Sequence, residues 1–153
     1  MTSYFSPEKQ RLFDKLIVFQ RKIIALEGNL LEEKKKAAER EDQIFLELCA
    51  VLDSFENIFN AMAEKDEILD KSSQRMLKSF RAIYRKLVRL LEANGIEQIE
   101  FPDGKSKIGL CKVIEARPQV GGKKGDIITI VRNGYRSQEQ VLRPAEVITV
   151  DDE

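Results

Sequence analysis

The sequence predicts an α+β protein in which long helices precede a small C-terminal antiparallel β domain. Apolar residues recur at alternating spacings of four and three over most of the first 95 residues, which is the heptad pattern of a helical seam. No proline interrupts residues 8–101. After Ile96 the pattern changes to short β-branched runs separated by turn residues, which is typical of strands.

The first helix is predicted to begin at Pro7. Ser6 can cap it, proline suits the first helical position, and Glu8 complements the positive end of the helix dipole. The seam lapses through residues 32–43 and then resumes. The seam residues are Leu12, Leu16, Phe19, Ile23, Leu26 and Leu30, then Ile44, Leu48, Val51, Phe55, Ile58 and Met62. A helix over residues 7–62 would be roughly 80 Å long at 1.5 Å per residue.

No other segment of the chain matches that length, so the seam is expected to find a second copy and form a homodimer. After a polar connection, "AEKDEILDKSS", a second helix is predicted over residues 73–94, ended by Gly95 in a left-handed cap. Its stripe is Leu77, Phe80, Tyr84, Leu87 and Leu91. Two such helical hairpins would form a four-helix bundle in the dimer.

The residues expected at the dimer interface span both helices. They are Leu12, Leu16, Phe19, Ile23, Leu26, Leu30, Leu48, Val51, Phe55, Leu77, Phe80, Tyr84 and Leu87. The predicted domains are therefore an N-terminal coiled-coil helix (1–43), the helical hairpin (44–95) and the β domain (96–153).

Within the β domain, strands are predicted in residues 108–116, 126–132 and 141–150, which are rich in β-branched residues. "VGGKKGD" is expected to be a loop. It matches neither GxxxxGK[ST] nor GxGxxG, and a strand follows it, so a phosphate site there is a weak alternative. "RNGY" (132–135) is expected to be a hairpin turn, with Gly134 as its turn residue.

Composition excludes several classes of protein. The 26 basic and 26 acidic residues give no net charge, and from Ile96 onward 9 basic against 10 acidic residues give −1, which disfavours nonspecific nucleic-acid binding. The chain has no His, and Cys49 and Cys111 form no CxxC pair, so we expect no metal site, no cofactor and no enzymatic activity. The isolated cysteines and the lack of a signal or spanning segment indicate a cytoplasmic protein with no membrane partner.

Three segments resemble the GrpE family, the nucleotide-exchange factors of DnaK-type chaperones. "VLDSFENIFNAM" (51–62) and "IYRKLVRLLEANGIEQIE" (83–100) are similar to the bundle helices of that family, and "NGYRSQEQVLRPAEVITV" (133–150) to its C-terminal pattern. The chain departs from the family at "FPDGKSKIGLCKVIEA" (101–116), which lacks the usual His-Glu-Ala segment, and at Gln140, where an Arg is common.

The resemblance implies a protein whose β domain binds the ATPase domain of a DnaK-type chaperone and favours the open nucleotide cleft, so that ADP leaves. It places Val131, Arg132, Tyr135, Arg136 and Gln140 on the chaperone-binding face. Arg143 could instead brace the β domain against the helices, and Tyr135 could equally be a core residue. Two alternatives stay open: a coiled-coil dimeric adaptor without exchange activity, and a nucleic-acid or ribosome-binding module.

Overall fold

The computed structural model describes residues 6–64, 70–138 and 140–151. Two helices, α1 (Pro7–Ala63) and α2 (Lys71–Ala93), precede six strands. The strands are β1 (Glu97–Gln98), β2 (Cys111–Arg117), β3 (Ile127–Arg132), β4 (Tyr135–Arg136), β5 (Val141–Arg143) and β6 (Ala145–Val150). The α+β class is confirmed. The chain divides into two compact units, one up to Glu41 and one from Asp42 onward. The predicted three-domain subdivision stays a prediction.

Helix α1 begins at Pro7, as predicted. The Ser6 carbonyl accepts a hydrogen bond from the backbone N–H of Gln10 at 3.1 Å, and Pro7 is the first helical residue. The lapse in the seam at residues 32–43 does not end the helix. Instead, pairs such as Lys36 with Glu32, 2.8 Å apart, lie along this exposed stretch. Among the described residues, neither helix is long and apolar enough to cross a lipid bilayer.

Helix α2 begins two residues before the predicted start because Asp70 caps it. The Asp70 side chain accepts a hydrogen bond from the Ser73 backbone N–H at 2.9 Å. At the other end Gly95 has φ 75°, as its predicted cap role requires, and the Ile96 N–H bonds back to the Leu91 carbonyl at 2.9 Å. Residues 65–69 of the predicted polar connection lie outside the described residues.

From Asp42 onward, α1 and α2 pack together through aromatic rings and a buried cluster. The Phe55 ring lies 6.0 Å from Phe80, and the Phe59 ring lies 5.6 Å from Tyr84, both edge to face. The buried cluster is Phe45, Cys49, Leu52, Leu91, Ile96 and Tyr135. The cluster joins both helices to the β domain, so the small sheets share a core with the helices.

The β domain contains two three-stranded sheets, ordered β1-β4-β5 and β2-β6-β3. Each predicted strand segment contains a strand. The second sheet is mixed, because β2 pairs with β6 in parallel while β3 pairs with β6 antiparallel. The central strand β6 is buried along most of its length, which explains its run of β-branched residues. Pro144 separates β5 from β6, and the chain passes from one sheet to the other at this residue. Proline suits such a break because it has no N–H to donate between strands.

The prediction of a hairpin turn at "RNGY" is wrong. Strand β3 pairs with β6, whereas β4 pairs with β1 and β5, so the residues between β3 and β4 connect two different sheets. Gly134 does not have a positive φ. A Cβ atom there would overlap the backbone nitrogen of Ala145, so this position needs glycine for close backbone approach and not for a turn.

Candidate functional site

Charged side chains meet where α1 lies against the β domain. Asp53 on α1 accepts two hydrogen bonds from the Arg143 guanidinium, Nη1 to Oδ2 at 2.8 Å and Nη2 to Oδ1 at 2.7 Å. Arg132 Nε donates to the same carboxylate at 2.8 Å. The Asp53 and Arg143 side chains are only 17% and 12% exposed, so this bidentate pair is held largely out of water. The bracing role considered for Arg143 is therefore confirmed.

The two arginines determine the protonation state of Asp53. Burial alone would raise the pKa of its carboxyl group, but hydrogen bonds from Arg143 and Arg132 outweigh burial and hold the pKa below the ordinary value of 3.8. Asp53 is thus ionised at neutral pH, and the pair contributes to the attachment of the β domain to α1.

A second carboxylate, Glu56, lies three residues further along the same helix. Its Oε1 accepts hydrogen bonds from the Tyr84 hydroxyl and from Asn133 Nδ2, each at 2.7 Å. The Asn133 backbone carbonyl in turn accepts from Arg143 Nη2 at 2.7 Å. We call Asp53, Glu56, Arg132, Asn133 and Arg143 the junction network. It holds the segment between β3 and β4 against α1, and Tyr84 of α2 bonds to the same Glu56 carboxylate.

Tyr135 lies at the centre of this region. It is 3% exposed, and the Arg143 guanidinium lies 5.4 Å from the centre of its ring. Its hydroxyl is buried without a hydrogen-bond partner among the described residues. Burial, and then the negative charge of Glu56, raise the pKa of Tyr135 far above its ordinary value, so the phenol stays neutral. Of the two predicted roles for Tyr135, the structure shows the core position.

The other residues predicted for the binding face lie in different surroundings. Val131 is 53% exposed and, with Arg132, borders a groove of about 690 Å³ between α1 and β3. Arg136 is exposed on β4, in the other sheet, with its Nη2 3.7 Å from a Glu97 carboxylate oxygen. Gln140 Nε2 donates a hydrogen bond of 2.6 Å to Asp42 on α1. These residues do not share one groove, and their contact role stays a prediction.

The residues predicted for dimerisation fall into two groups. The six from the first seam, Leu12, Leu16, Phe19, Ile23, Leu26 and Leu30, are 51–65% exposed. Val51 is also exposed, at 44%. By contrast, Leu77 is buried, Leu48 and Leu87 pack against the buried cluster, and Phe55, Phe80 and Tyr84 pack against one another within the chain. Their role between chains stays a prediction.

Sequence reasoning missed the acidic half of the junction network. Asp53 and Glu56 lie within "VLDSFENIF", an otherwise mainly apolar stretch of α1. Acidic residues three apart lie on one helix face, and on a face predicted to be buried they call for cationic or hydrogen-bonding partners. That signal could have identified them as partners for the arginines of the β domain.

Comparison with known proteins matches this chain to one protein family. A family model described as GrpE matches residues 9–151. The Protein GrpE of a Sulfurovum species is 35% identical over 111 residues, which are 67% of this chain and 56% of that protein. The Protein GrpE of a Nitratiruptor species is 25% identical over 126 residues, 76% of this chain and 70% of the relative.

The Protein GrpE of Pediococcus pentosaceus is 23% identical over 142 residues, which cover 92% of this chain and 71% of the relative. The matches to these relatives and to several others thus span between about half and seven-tenths of the relatives' own length.

Proposed function

The chain belongs to the GrpE family, and from this premise we propose that it is a cochaperone that binds the ATPase domain of a DnaK-type chaperone and promotes ADP release. The observation that carries the proposal is the family match over residues 9–151, which includes nearly all of α1, all of α2 and all six strands. The function needs only a preference for the open nucleotide cleft, since each 1.4 kcal/mol of preference shifts the opening equilibrium about tenfold. No catalytic residue, metal or cofactor of this chain takes part.

The junction network supports this proposal by showing how the β domain is attached. A docked domain that is already held in one orientation loses less conformational entropy on binding, so more of its preference for the open cleft is expressed. The bidentate contact between Asp53 and Arg143 and the hydrogen bond from Asn133 to Glu56 link the β domain to α1 through partly buried groups. The hydrogen bond from Tyr84 to Glu56 joins α2 to the same site. We infer that these contacts keep the chaperone-binding face in a set orientation.

For the binding face itself, we propose that Val131 and Arg136 supply direct contacts, because both are exposed and neither is needed for the buried core. Arg132 and Gln140 each donate a hydrogen bond to a carboxylate of α1, so we propose that they contact the chaperone only through the part of the side chain that this bond leaves exposed. We propose a positioning role for Tyr135, since its ring is buried beneath the segment that carries the face. Arginine with neighbouring apolar area is a common anchor at interfaces.

We also propose that the protein acts as a homodimer through the seam in residues 12–30. Six apolar side chains at heptad spacing are half exposed or more in the single chain. Burying a row of such side chains against an identical row is the usual way to satisfy a heptad seam.

The proposal can be tested by stopped-flow release of a fluorescent ADP analogue from a DnaK-type chaperone of the same organism. We expect this protein to accelerate release and Arg136→Ala to reduce the acceleration at least tenfold. Arg117→Ala is the matched control, because Arg117 is also an exposed strand arginine paired with a glutamate, but in the other sheet. Both variants should keep wild-type helicity in circular dichroism, since exposed ion pairs contribute little to stability.

The outcomes distinguish the possible functions. Acceleration that is lost in Arg136→Ala and kept in Arg117→Ala would support exchange through the proposed face. Equal acceleration by both variants would refute the proposed contact between Arg136 and the chaperone, but not the exchange activity. Chaperone binding without acceleration, at saturating concentration, would identify an adaptor and refute the exchange function.

A further inference from the structure

The N-terminal part of α1 has an apolar face wider than a two-stranded seam needs. With 100° of rotation per residue, eight large apolar side chains of residues 9–26 cover roughly 180° of the helix circumference. They are Leu12, Phe13, Leu16, Ile17, Phe19, Ile23, Ile24 and Leu26. Except for Ile17, which is partly buried, each of these side chains is 51–68% exposed. The face is therefore open in the single chain, and Lys9 and Gln20 are the polar residues within its arc.

The opposite side of the same segment is largely basic. Residues 9–26 contain five basic residues and one acidic residue, a net charge of +4 in a chain whose total charge is zero. The basic residues are Lys9, Arg11, Lys15, Arg21 and Lys22. All of them except Lys9 lie on the polar half of the helix, which also holds the apolar Val18 and Ala25. The segment is thus amphipathic, with charge of one sign concentrated behind an apolar face.

A helix partner of the same sequence does not account for the whole face. The heptad seam uses Leu12, Leu16, Phe19, Ile23 and Leu26, whereas Phe13, Ile17 and Ile24 form a second stripe turned roughly 120° away from it. Two helices that join through the seam leave this second stripe in water. Covering it with further copies would bring several segments of charge +4 together, and like charges at close range repel.

An anionic lipid surface satisfies both features at once, because a helix lying flat buries an apolar arc of this width and presents its basic side chains to lipid phosphates. We propose that residues 9–26 of α1 lie on the surface of an anionic lipid bilayer. All five seam residues also belong to this face, so a bilayer and a helix partner compete for them.

This surface association differs from the expectation of no membrane partner. That expectation depended on the absence of a spanning segment, and a helix that lies in the interface needs no such segment. The inference also does not depend on the proposed nucleotide exchange, since it uses only the pattern and exposure of residues 9–26.

The test is flotation of the full chain with vesicles of phosphatidylglycerol and phosphatidylcholine, compared with vesicles of phosphatidylcholine alone. We expect binding to the anionic vesicles, weakened by high salt, and little binding to the neutral ones. Each basic residue near an anionic surface raises the partition coefficient onto the vesicles roughly fivefold. Changing Arg11, Lys15 and Lys22 to Gln should therefore lower this coefficient about 100-fold. Changing Lys34, Lys35 and Lys36 to Gln is the matched control, because it removes three positive charges from the same helix outside the face.

A second pair of variants separates lipid contact from charge. Ile17→Gln with Ile24→Gln removes apolar area from the second stripe without touching the seam, and should weaken partition at least tenfold. Ile108→Gln removes a fully exposed apolar side chain from the β domain and should leave partition unchanged. Each variant should have the helical content of the wild type, which circular dichroism checks.

Three results would overturn the proposal. The first is no binding to anionic vesicles, or equal binding to both vesicle types. The second is an equal loss of partition in the two lysine and arginine triple variants. The third is a tetramer in sedimentation equilibrium that Ile17→Gln with Ile24→Gln dissociates while vesicle binding is absent, since the face would then serve further copies of the chain.

Discussion

Replacement of Asp53 by Asn should destabilise the protein more than the loss of any surface ion pair. The substitution keeps the shape of the side chain but removes the negative charge that faces Arg143 and Arg132. Removing one partner from a fully buried ion pair costs about 3–5 kcal/mol, because the other charge stays buried without compensation. Arg143 is 12% exposed, and the Asn oxygen can still accept one hydrogen bond, so we expect a loss of about 2–3 kcal/mol in the free energy of unfolding.

The matched control is Glu115→Gln. Glu115 also receives two hydrogen bonds from one arginine, Arg117, but these side chains are 48% and 58% exposed. Solvent screens an exposed pair, so its loss should cost no more than about 1 kcal/mol. Urea unfolding followed by far-UV circular dichroism measures both values, at one fixed protein concentration because association adds to stability.

The pH dependence provides a second measurement of the same contact. The pKa of Asp53 is lower in the folded state than in the unfolded state, so the stabilisation is fully present above the ordinary value of 3.8 and is lost as the pH falls through the folded-state pKa. The difference between wild type and Asp53→Asn should therefore be constant from about pH 5 to pH 8 and shrink only below the ordinary range. The reasoning is refuted if Asp53→Asn costs no more than Glu115→Gln at neutral pH.

Two further predictions concern glycine and cysteine. Gly134→Ala should lower the free energy of unfolding in urea by about 3 kcal/mol, because its Cβ would overlap the Ala145 backbone. Gly28→Ala should raise it by up to about 1 kcal/mol, because Gly28 lies mid-helix with open space around it. Equal effects of the two substitutions would show that the close approach at Gly134 is absent. Burial raises the pKa of Cys49 to about 11, so its thiol should react with a thiol reagent at neutral pH only as fast as the protein opens, while the partly exposed Cys111 reacts in the folded state. Rapid modification of both thiols in the native protein would contradict the buried position of Cys49.

Local patterns in the sequence determined the two helices, the start of α1, the end of α2 and the approximate strand positions. Ser6 with Pro7 and Gly95 act at the ends of helices through neighbours within five residues, so their roles follow from sequence alone. The α+β class and the family pattern are likewise properties of consecutive residues. The start of α2 shifted by two residues because Asp70, rather than a later residue, is the cap.

Tertiary structure decided which strands pair and what the residues between them do. The bonds from Arg132 and Arg143 to Asp53 join residues 79 and 90 positions apart, a separation that periodicity does not encode. For the same reason, the sequence suggested a hairpin turn at Gly134, where the structure has a connection between two sheets. Burial of Tyr135 also depends on packing from three parts of the chain, so only the folded protein shows that its ring belongs to the core.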